Sequence, residues 1–110
     1  MDYQGLLTRA NNAPDFIEFV KQNNNIYRDG NHWLVVENYK YHTPEHPHFT
    51  AFAVRNVQEA SQLKDAESIE LVSLIPNSWF FYVNPKAQRT ITRLHFHIVR
   101  DYNHWLENHA

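Results

Sequence analysis

The sequence predicts an α+β fold in which a mostly antiparallel five-stranded sheet carries one or two helices, all within one domain spanning residues 1–110. Three observations lead to this prediction. Five short runs are rich in the β-branched and aromatic residues that favour strands. Two segments repeat apolar residues at helical spacing. The dipeptide Asp29-Gly30 is typical of a hairpin turn. A chain of this length buries roughly 65% of its unfolded surface, which is enough for one modest core.

The first expected elements are a helix and a hairpin. Pro14 suits the first turn of a helix, and the apolar residues after it share one face, which predicts a helix over residues 14–23. Strands are expected at residues 26–28 and 32–36 because both runs are rich in apolar residues. Asp29-Gly30 would join them in a two-residue type I′ turn, whose central residues both need positive φ.

The second half of the chain is predicted to contain three strands and a short helix. Apolar residues recur at three-residue steps between residues 57 and 75, and Pro76 ends this helical pattern. In order, we expect a loop over residues 37–47, a strand over 48–54, the helix, a strand over 79–83, a loop over 84–88 and a strand over 90–99.

The composition excludes several classes of function. With 10 basic and 12 acidic residues and no block of like charge, no general nucleic-acid-binding surface is expected. Two glycines are too few for a glycine-rich phosphate loop, and the lack of cysteine rules out disulfides and thiolate chemistry. No apolar run approaches the roughly 20 residues that span a bilayer, and no signal-peptide pattern is visible, so we expect a cytoplasmic protein without a membrane partner.

The segment over residues 89–99 carries the clearest chemical signal. Successive side chains on a strand point to opposite faces, so Arg93, His95 and His97 would share one face and the apolar residues between them the other. Like-facing residues lie about 6.6 Å apart along a strand. Two imidazoles and a guanidinium at that spacing suit a phosphate or a metal ion, although a half-solvated strand face would show the same alternation.

Histidines in the predicted loop leave a metal site open as an alternative. His42, His46 and His48, together with His95 or His97, could supply three imidazoles to zinc or a similar metal. A polar loop is the more ordinary interpretation of this cluster. The phosphate interpretation requires no metal or other cofactor.

The segment over residues 89–99 also resembles the signature of the histidine-triad superfamily of nucleotide hydrolases and transferases. That signature reads Gln-Ser/Thr-Val-x-His-h-His-h-His-h-h, where h is apolar. Thr90 falls on the Ser/Thr position, Arg93 on the first histidine, His95 on the second and His97 on the third. The replacement of the first histidine by arginine is the main departure from the signature. In place of an imidazole, arginine would offer a planar fork of donors to phosphate oxygens.

A second segment, residues 48–56, is similar to the family pattern His-h-h-h-h-Pro-Lys-x-His. His48 takes the leading position, from which the family's histidine supports the triad across neighbouring strands. Ala53 replaces the proline and Asn56 the closing histidine, so the chain would be a short, divergent member of the superfamily.

The resemblance implies a HIT-like α+β fold, a homodimer, and an enzyme that acts at the α-phosphate of a nucleotide or nucleoside-phosphate substrate. His95 would be the nucleophile, with His97 and His48 assisting and Arg93 holding phosphate. The implied substrate-binding residues are Asn38, Asn84, Gln88 and Thr90. Asn38 and Asn84 also fit turn residues whose side chains bond to the local backbone.

Elementary chemistry is consistent with that role for a histidine. The unperturbed pKa of imidazole, about 6.5, leaves much of it neutral at pH 7. A neutral imidazole can attack phosphorus directly and so divide one displacement into two easier ones. Two alternatives remain at this stage: a module on the same fold that binds a nucleotide or a protein with weak or no turnover, and a histidine-ligated metal-binding protein.

Overall fold

The computed structural model describes residues 3–89 and 91–109 and has the predicted α+β class, with a five-stranded antiparallel sheet. Two short 3₁₀ turns, Ala60–Gln62 and Lys86–Gln88, lie in the connections. In chain order the main elements are α1 (Tyr3–Asn12), α2 (Phe16–Asn23), β1 (Ile26–Asp29), β2 (Trp33–Glu37), β3 (His48–Ala53), α3 (Asp65–Ser73), β4 (Phe80–Tyr82), β5 (His95–Val99) and α4 (Tyr102–His109). Within the described part of the chain, no helix is long and apolar enough to cross a membrane.

The helical content exceeds the predicted one or two helices, because α1 and α4 were not expected. Helix α2 matches the helix predicted over residues 14–23, and the Asp15 side chain accepts a hydrogen bond from the Glu18 backbone at its start. Helix α4 is rich in polar residues and has one short apolar pattern, Tyr102, Trp105 and Leu106. Its aromatic side chains pack against β4, and this contact stabilises a helix that the sequence alone indicates only weakly.

The last strand is shorter than the prediction. β5 begins at His95, not at residue 90. The backbone N–H of Leu94 donates to the carbonyl of Val57 (2.8 Å), in a connection outside the sheet. β4 is only three residues long and pairs with residues 97–99 of β5, so it offers no partner to the residues before His95. Thr90 lies outside the described residues.

The hairpin between β1 and β2 also differs from the prediction. Three residues, 30–32, separate β1 from β2, so the turn is not a two-residue type I′ turn, and Gly30 does not have positive φ. Glycine is needed there for a different reason. A Cβ atom on Gly30 would lie 2.8 Å from the Glu70 carboxylate, which accepts a hydrogen bond from the Trp33 backbone (2.9 Å). Close approach of α3 therefore selects glycine in this loop.

Five strands in the order β1-β2-β3-β5-β4 form the sheet, and every neighbouring pair is antiparallel. The register aligns one residue from each of four strands in a row across a single face. That row runs Val36, Thr50, His97 and Tyr82. The histidines of β5 therefore lie beside polar and aromatic side chains of both neighbouring strands.

Each face of the sheet packs on different helices. Helix α3 covers one face through Leu71, in a core that includes Trp33, Val35, Ala51, Phe96 and Ile98. On the opposite face α1 and α2 pack against a second cluster, formed by Ala10, Phe16, Val20, Leu34, Val36, Phe52 and Ile91. Since the histidines of β5 alternate with Phe96 and Ile98, they belong to this second face.

An ion pair holds α3 on the first face. Arg55 donates two hydrogen bonds to the buried Glu67 carboxylate (2.7 and 3.1 Å), and the Lys64 backbone donates a third (2.8 Å). These bonds, with that of Arg55 the strongest, lower the pKa of Glu67 to about 2. Trp33 donates its indole N–H to the Glu67 carbonyl (2.8 Å), which connects the helix directly to β2. The ionised carboxylate thus serves both as helix N-terminal acceptor and as partner of the guanidinium.

Candidate active site

The centre of the candidate site is His95, whose ring is buried with 8% of the residue exposed. Its Nδ1 lies 2.8 Å from the carbonyl oxygen of Arg93. A carbonyl oxygen only accepts hydrogen bonds, so Nδ1 carries the proton and, in the neutral ring, Nε2 holds the lone pair. Burial lowers the pKa of His95, and the nearby charge of Arg89 acts in the same direction, while the bond to the carbonyl opposes both. The neutral, Nδ1-protonated form therefore predominates at pH 7.

Two further imidazoles, those of His97 and His48, lie in sequence beside the His95 ring. The centroids of the His95 and His97 rings are 5.4 Å apart, and Nδ1 of His97 lies 3.1 Å from Nε2 of His48. Tyr82 stacks on His97 with its ring centroid at 4.5 Å, and Tyr41 stacks on His48 at 5.3 Å. The structure thus brings together three of the residues predicted for the site, and a tyrosine ring stacks on each of two of them.

A cavity of about 410 Å³ opens beside His95 and His97. This volume lies within the range of small-molecule sites, roughly 300–1,000 Å³. One part of its wall is apolar and includes Val36, Phe52 and Ile91. The polar part includes Asn38, Thr50, Asn84, Gln88, Arg89 and the two histidines, and also Lys40 and the acidic Glu37. Such a wall can hold a ligand that combines an apolar or aromatic portion with an anionic group.

The predicted substrate-binding residues Asn38, Asn84 and Gln88 all line this cavity. Asn38 is buried, and its side-chain oxygen accepts hydrogen bonds from the backbone of Lys40 and Tyr41 (3.0 and 2.9 Å). Its amide nitrogen donates to the Thr50 hydroxyl (3.0 Å). Asn38 therefore has the geometry of a turn residue while also facing the cavity. Thr90, the remaining substrate-binding prediction, is not among the described residues.

Arg93 is directed away from the cavity and does not line it. Its guanidinium donates to the backbone carbonyls of Ala53 (3.1 Å) and Val54 (2.9 Å) and lies over the ring of Phe16, 4.6 Å from the centroid. The expectation that Arg93 holds phosphate beside His95 is therefore not met. Arg93 precedes β5, and its long side chain extends to the end of β3, where carbonyls are available.

The cavity has a different arginine, Arg89, which was not predicted as a site residue. Its Nε donates to the Asn84 carbonyl (2.7 Å), and Nη1 donates to the carbonyls of Gln58 and Thr92. These backbone contacts fix a positive charge at the cavity wall, close enough to lower the pKa of His95. A signal was present in the sequence, because Arg89 opens the same segment that carries the histidines.

The loop histidines do not converge on one point. Nδ1 of His42 accepts the backbone N–H of His48 (3.1 Å), whereas Nδ1 of His46 lies 3.0 Å from the Asp101 carboxylate. His46 also stacks on His104 with centroids 3.6 Å apart. Within residues 3–89 and 91–109, no three side chains of histidine, cysteine, aspartate or glutamate are placed to hold one metal ion. The arrangement therefore gives no support to the predicted zinc alternative.

The sequence matches no protein-family model, and no curated protein is significantly similar to it. The resemblance to the histidine-triad signature therefore depends on the few positions that carry it, and the function has to be argued from the geometry of the site.

Proposed function

We propose that the protein binds a nucleoside phosphate in the cavity of about 410 Å³ and that Nε2 of His95 attacks the α-phosphorus. The observation that carries this proposal is the hydrogen bond from Nδ1 of His95 to the Arg93 carbonyl (2.8 Å). It assigns the lone pair to Nε2 of a ring that lines the cavity, and burial keeps the ring neutral. A nucleophile of this kind needs no separate base.

The proposed reaction has two displacements. In the first, Nε2 of His95 forms a bond to phosphorus while the bond from phosphorus to the leaving oxygen or nitrogen breaks. Protonated His97 gives a proton to the leaving group, and Nε2 of His48 accepts the other ring N–H of His97, at the 3.1 Å contact. In the second, water attacks phosphorus and gives a proton to the now neutral His97, the N–P bond breaks, and a nucleoside monophosphate leaves. An acceptor alcohol or amine in place of water gives nucleotidyl transfer.

The two kinds of cavity wall suit the two ends of such a substrate. Val36 and Phe52 offer an apolar surface to a base, and Gln88 and Asn84 offer amide groups. Arg89 is a cation of this wall that can offset charge on the phosphoryl oxygens, and backbone carbonyls hold it in position before substrate arrives. A preorganised donor of this kind typically contributes a few kcal/mol to transition-state stabilisation.

The test is nucleotide release from adenosine phosphoramidate, dinucleoside polyphosphates and adenylylated amines, followed by chromatography in the presence of a chelator. His95→Ala is expected to lower turnover by at least about 10³-fold, since it removes the nucleophile. His32→Ala is the matched control, because His32 lies in the β1–β2 loop and does not line the cavity. Unaltered turnover in His95→Ala would contradict the proposal.

Trapping the covalent form provides an independent readout. Wild-type protein quenched at neutral pH during turnover should carry a nucleotidyl group at His95, detected by intact mass, that is labile to acid and stable to base. His95→Ala should carry none. A nucleotidyl group on another residue would also contradict the assignment of His95.

A nucleotide-binding module with little turnover is the second candidate, and the placement of Arg93 favours it. The side chain at the position of the family's first histidine contacts Ala53, Val54 and Phe16 and leaves that position without an imidazole beside His95. Equilibrium binding of a nucleoside monophosphate without release of product from any of the substrates would select this candidate.

We further propose a homodimer, from the family resemblance, and a location in the cytoplasm, from the lack of cysteine. The outer edge of β4, where Phe81 is 49% exposed, is one surface that a second copy could use. Light scattering after gel filtration measures the mass directly, and a monomer at micromolar concentration would remove this part of the proposal.

A further inference from the structure

A second cavity, of about 280 Å³, adjoins the first. Lys40, Tyr41 and Trp105 line both cavities. His97 lines the first and His48 the second, and these two rings share the 3.1 Å hydrogen bond. The proposed proton donor and its partner therefore stand at the boundary between the two spaces.

The walls of the second cavity are rich in groups that can donate hydrogen bonds to an anion. Lys40, His46 and His104 line it in addition to His48. Asp101 is the one carboxylate of its described lining. That carboxylate already contacts the Arg100 guanidinium (3.1 Å) and Nδ1 of His46 (3.0 Å), and both partners lower its pKa. Its charge is thus largely offset within the wall.

His46 and His104 form an unusual part of this wall. Their rings are parallel, with centroids 3.6 Å apart and an interplanar angle of 1°. Nδ1 of His46 lies 3.0 Å from the Asp101 carboxylate. An oxyanion in this cavity would lie beside both rings and beside Lys40, whose ammonium group only donates hydrogen bonds.

The position of this cavity relative to His95 indicates what it would bind. In an in-line displacement the leaving group departs on the side opposite to the nucleophile. His97 would protonate that group, and its partner His48 lines the second cavity. We propose that the second cavity binds an oxyanion, phosphate or carboxylate, that belongs to the leaving group. This inference rests on the proposed function and narrows its substrates to nucleoside phosphates joined to an acidic group.

Three adenosine phosphoramidates with leaving amines of equal length test the inference. One amine ends in a methyl group, one in a carboxylate and one in a phosphate. We expect kcat/KM for an acidic amine to exceed that for the neutral one by about tenfold or more, the effect of one charge-assisted hydrogen bond. The better of the two acidic amines identifies the oxyanion.

Substitutions in the second cavity test whether it causes the preference for acidic leaving amines. His104→Phe keeps a flat ring for the stack with His46 but removes the imidazole nitrogens, and it should reduce the ratio of acidic to neutral kcat/KM. His32→Phe is the matched control and should keep the ratio, since His32 lines neither cavity. Equal kcat/KM for the three substrates, with turnover dependent on His95, would overturn the leaving-group site and leave the proposed function standing.

A direct binding measurement covers the case in which none of the substrates reacts. Inorganic pyrophosphate is titrated while the imidazole signals are followed by NMR. We expect the signals of His46 and His104 to shift at lower concentrations than that of His95, and His104→Phe to weaken the binding. If pyrophosphate leaves the signals of His46 and His104 unchanged, the inference is wrong whether or not the protein is an enzyme.

Discussion

The two faces of the sheet are built from alternate residues of the same strands, yet they differ in how completely they are packed. On the α3 face, Trp33 and Leu94 are fully buried, and Phe96 packs edge-on against Trp33. On the opposite face, Phe52 and the two β5 histidines are also buried, but they border an open cavity. We expect the α3 face, called the closed face below, to contribute most of the stability. The face with the cavity, called the open face, keeps polar groups within reach of a ligand.

The largest effect that tests this difference comes from a matched pair of phenylalanines. Phe96 and Phe52 have the same exposure, 6%, and lie on opposite faces. Phe96→Ala should leave a void in close-packed surroundings and lower the free energy of unfolding by about 3–5 kcal/mol. Phe52→Ala should cost less than about 3 kcal/mol, because the removed ring already borders empty space. Urea denaturation of the two variants measures both values, and equal losses would contradict the contrast between the faces.

The next effect concerns the ion pair on the closed face. Arg55→Met should leave the buried Glu67 carboxylate without its main partner and destabilise the protein by less than Phe96→Ala does. Arg28→Met on the exposed strand β1 is the control and should have little effect. Thermal unfolding compares them, and a variant as stable as the wild type would show that Arg55 is dispensable.

The ion pair between Arg55 and Glu67 also predicts that the free energy of unfolding decreases at acidic pH. The pKa of Glu67 is about 2 when folded and 4.5 in its ordinary state, so the unfolded chain binds the proton more readily. The stabilisation from this group is complete above 4.5 and is lost as the pH falls toward 2. In Arg55→Met this part of the acid dependence should shrink, which urea titrations at several pH values can measure.

The smallest effect tests the open face through His95. Its pKa in the folded protein lies below the ordinary value of 6.5, so the unfolded chain takes up the proton first as the solution becomes acidic. Stability is therefore expected to fall as the pH drops below 6.5, and His95→Asn should remove this component. NMR titration of the ring reads the pKa directly. A value above 6.5 would contradict both the buried, neutral ring and its role as a nucleophile.

The sequence predicted the features that depend on local composition and alternation. The approximate positions of the five strands follow from runs of apolar, β-branched and aromatic residues, and α2 follows from Pro14 and the apolar spacing after it. The common face of His95 and His97 follows from period-two patterning. Those features need only neighbours along the chain. Tertiary packing adjusts them only at their ends.

Features that depend on distant partners were missed. Glu70 of α3 determines the conformation around Gly30, and no local turn rule contains that contact. The directions of Arg89 and Arg93 are set by carbonyls that lie up to 40 residues away. Long, flexible side chains take the direction in which acceptors happen to lie, so an arginine close in sequence to a catalytic motif need not point into the site.

The alternation within β5 also protects the chain against a folding error. If β5 slipped by one residue against β3, His95 and His97 would enter the apolar core, and Phe96 and Ile98 would line the cavity. Burial of two imidazoles without partners is costly, so the misaligned sheet would be strongly disfavoured. The two histidines that give this strand its chemistry therefore also specify its register against β3 during folding. A one-residue deletion within β5 should consequently be less tolerated than one among the exposed loop residues 43–45.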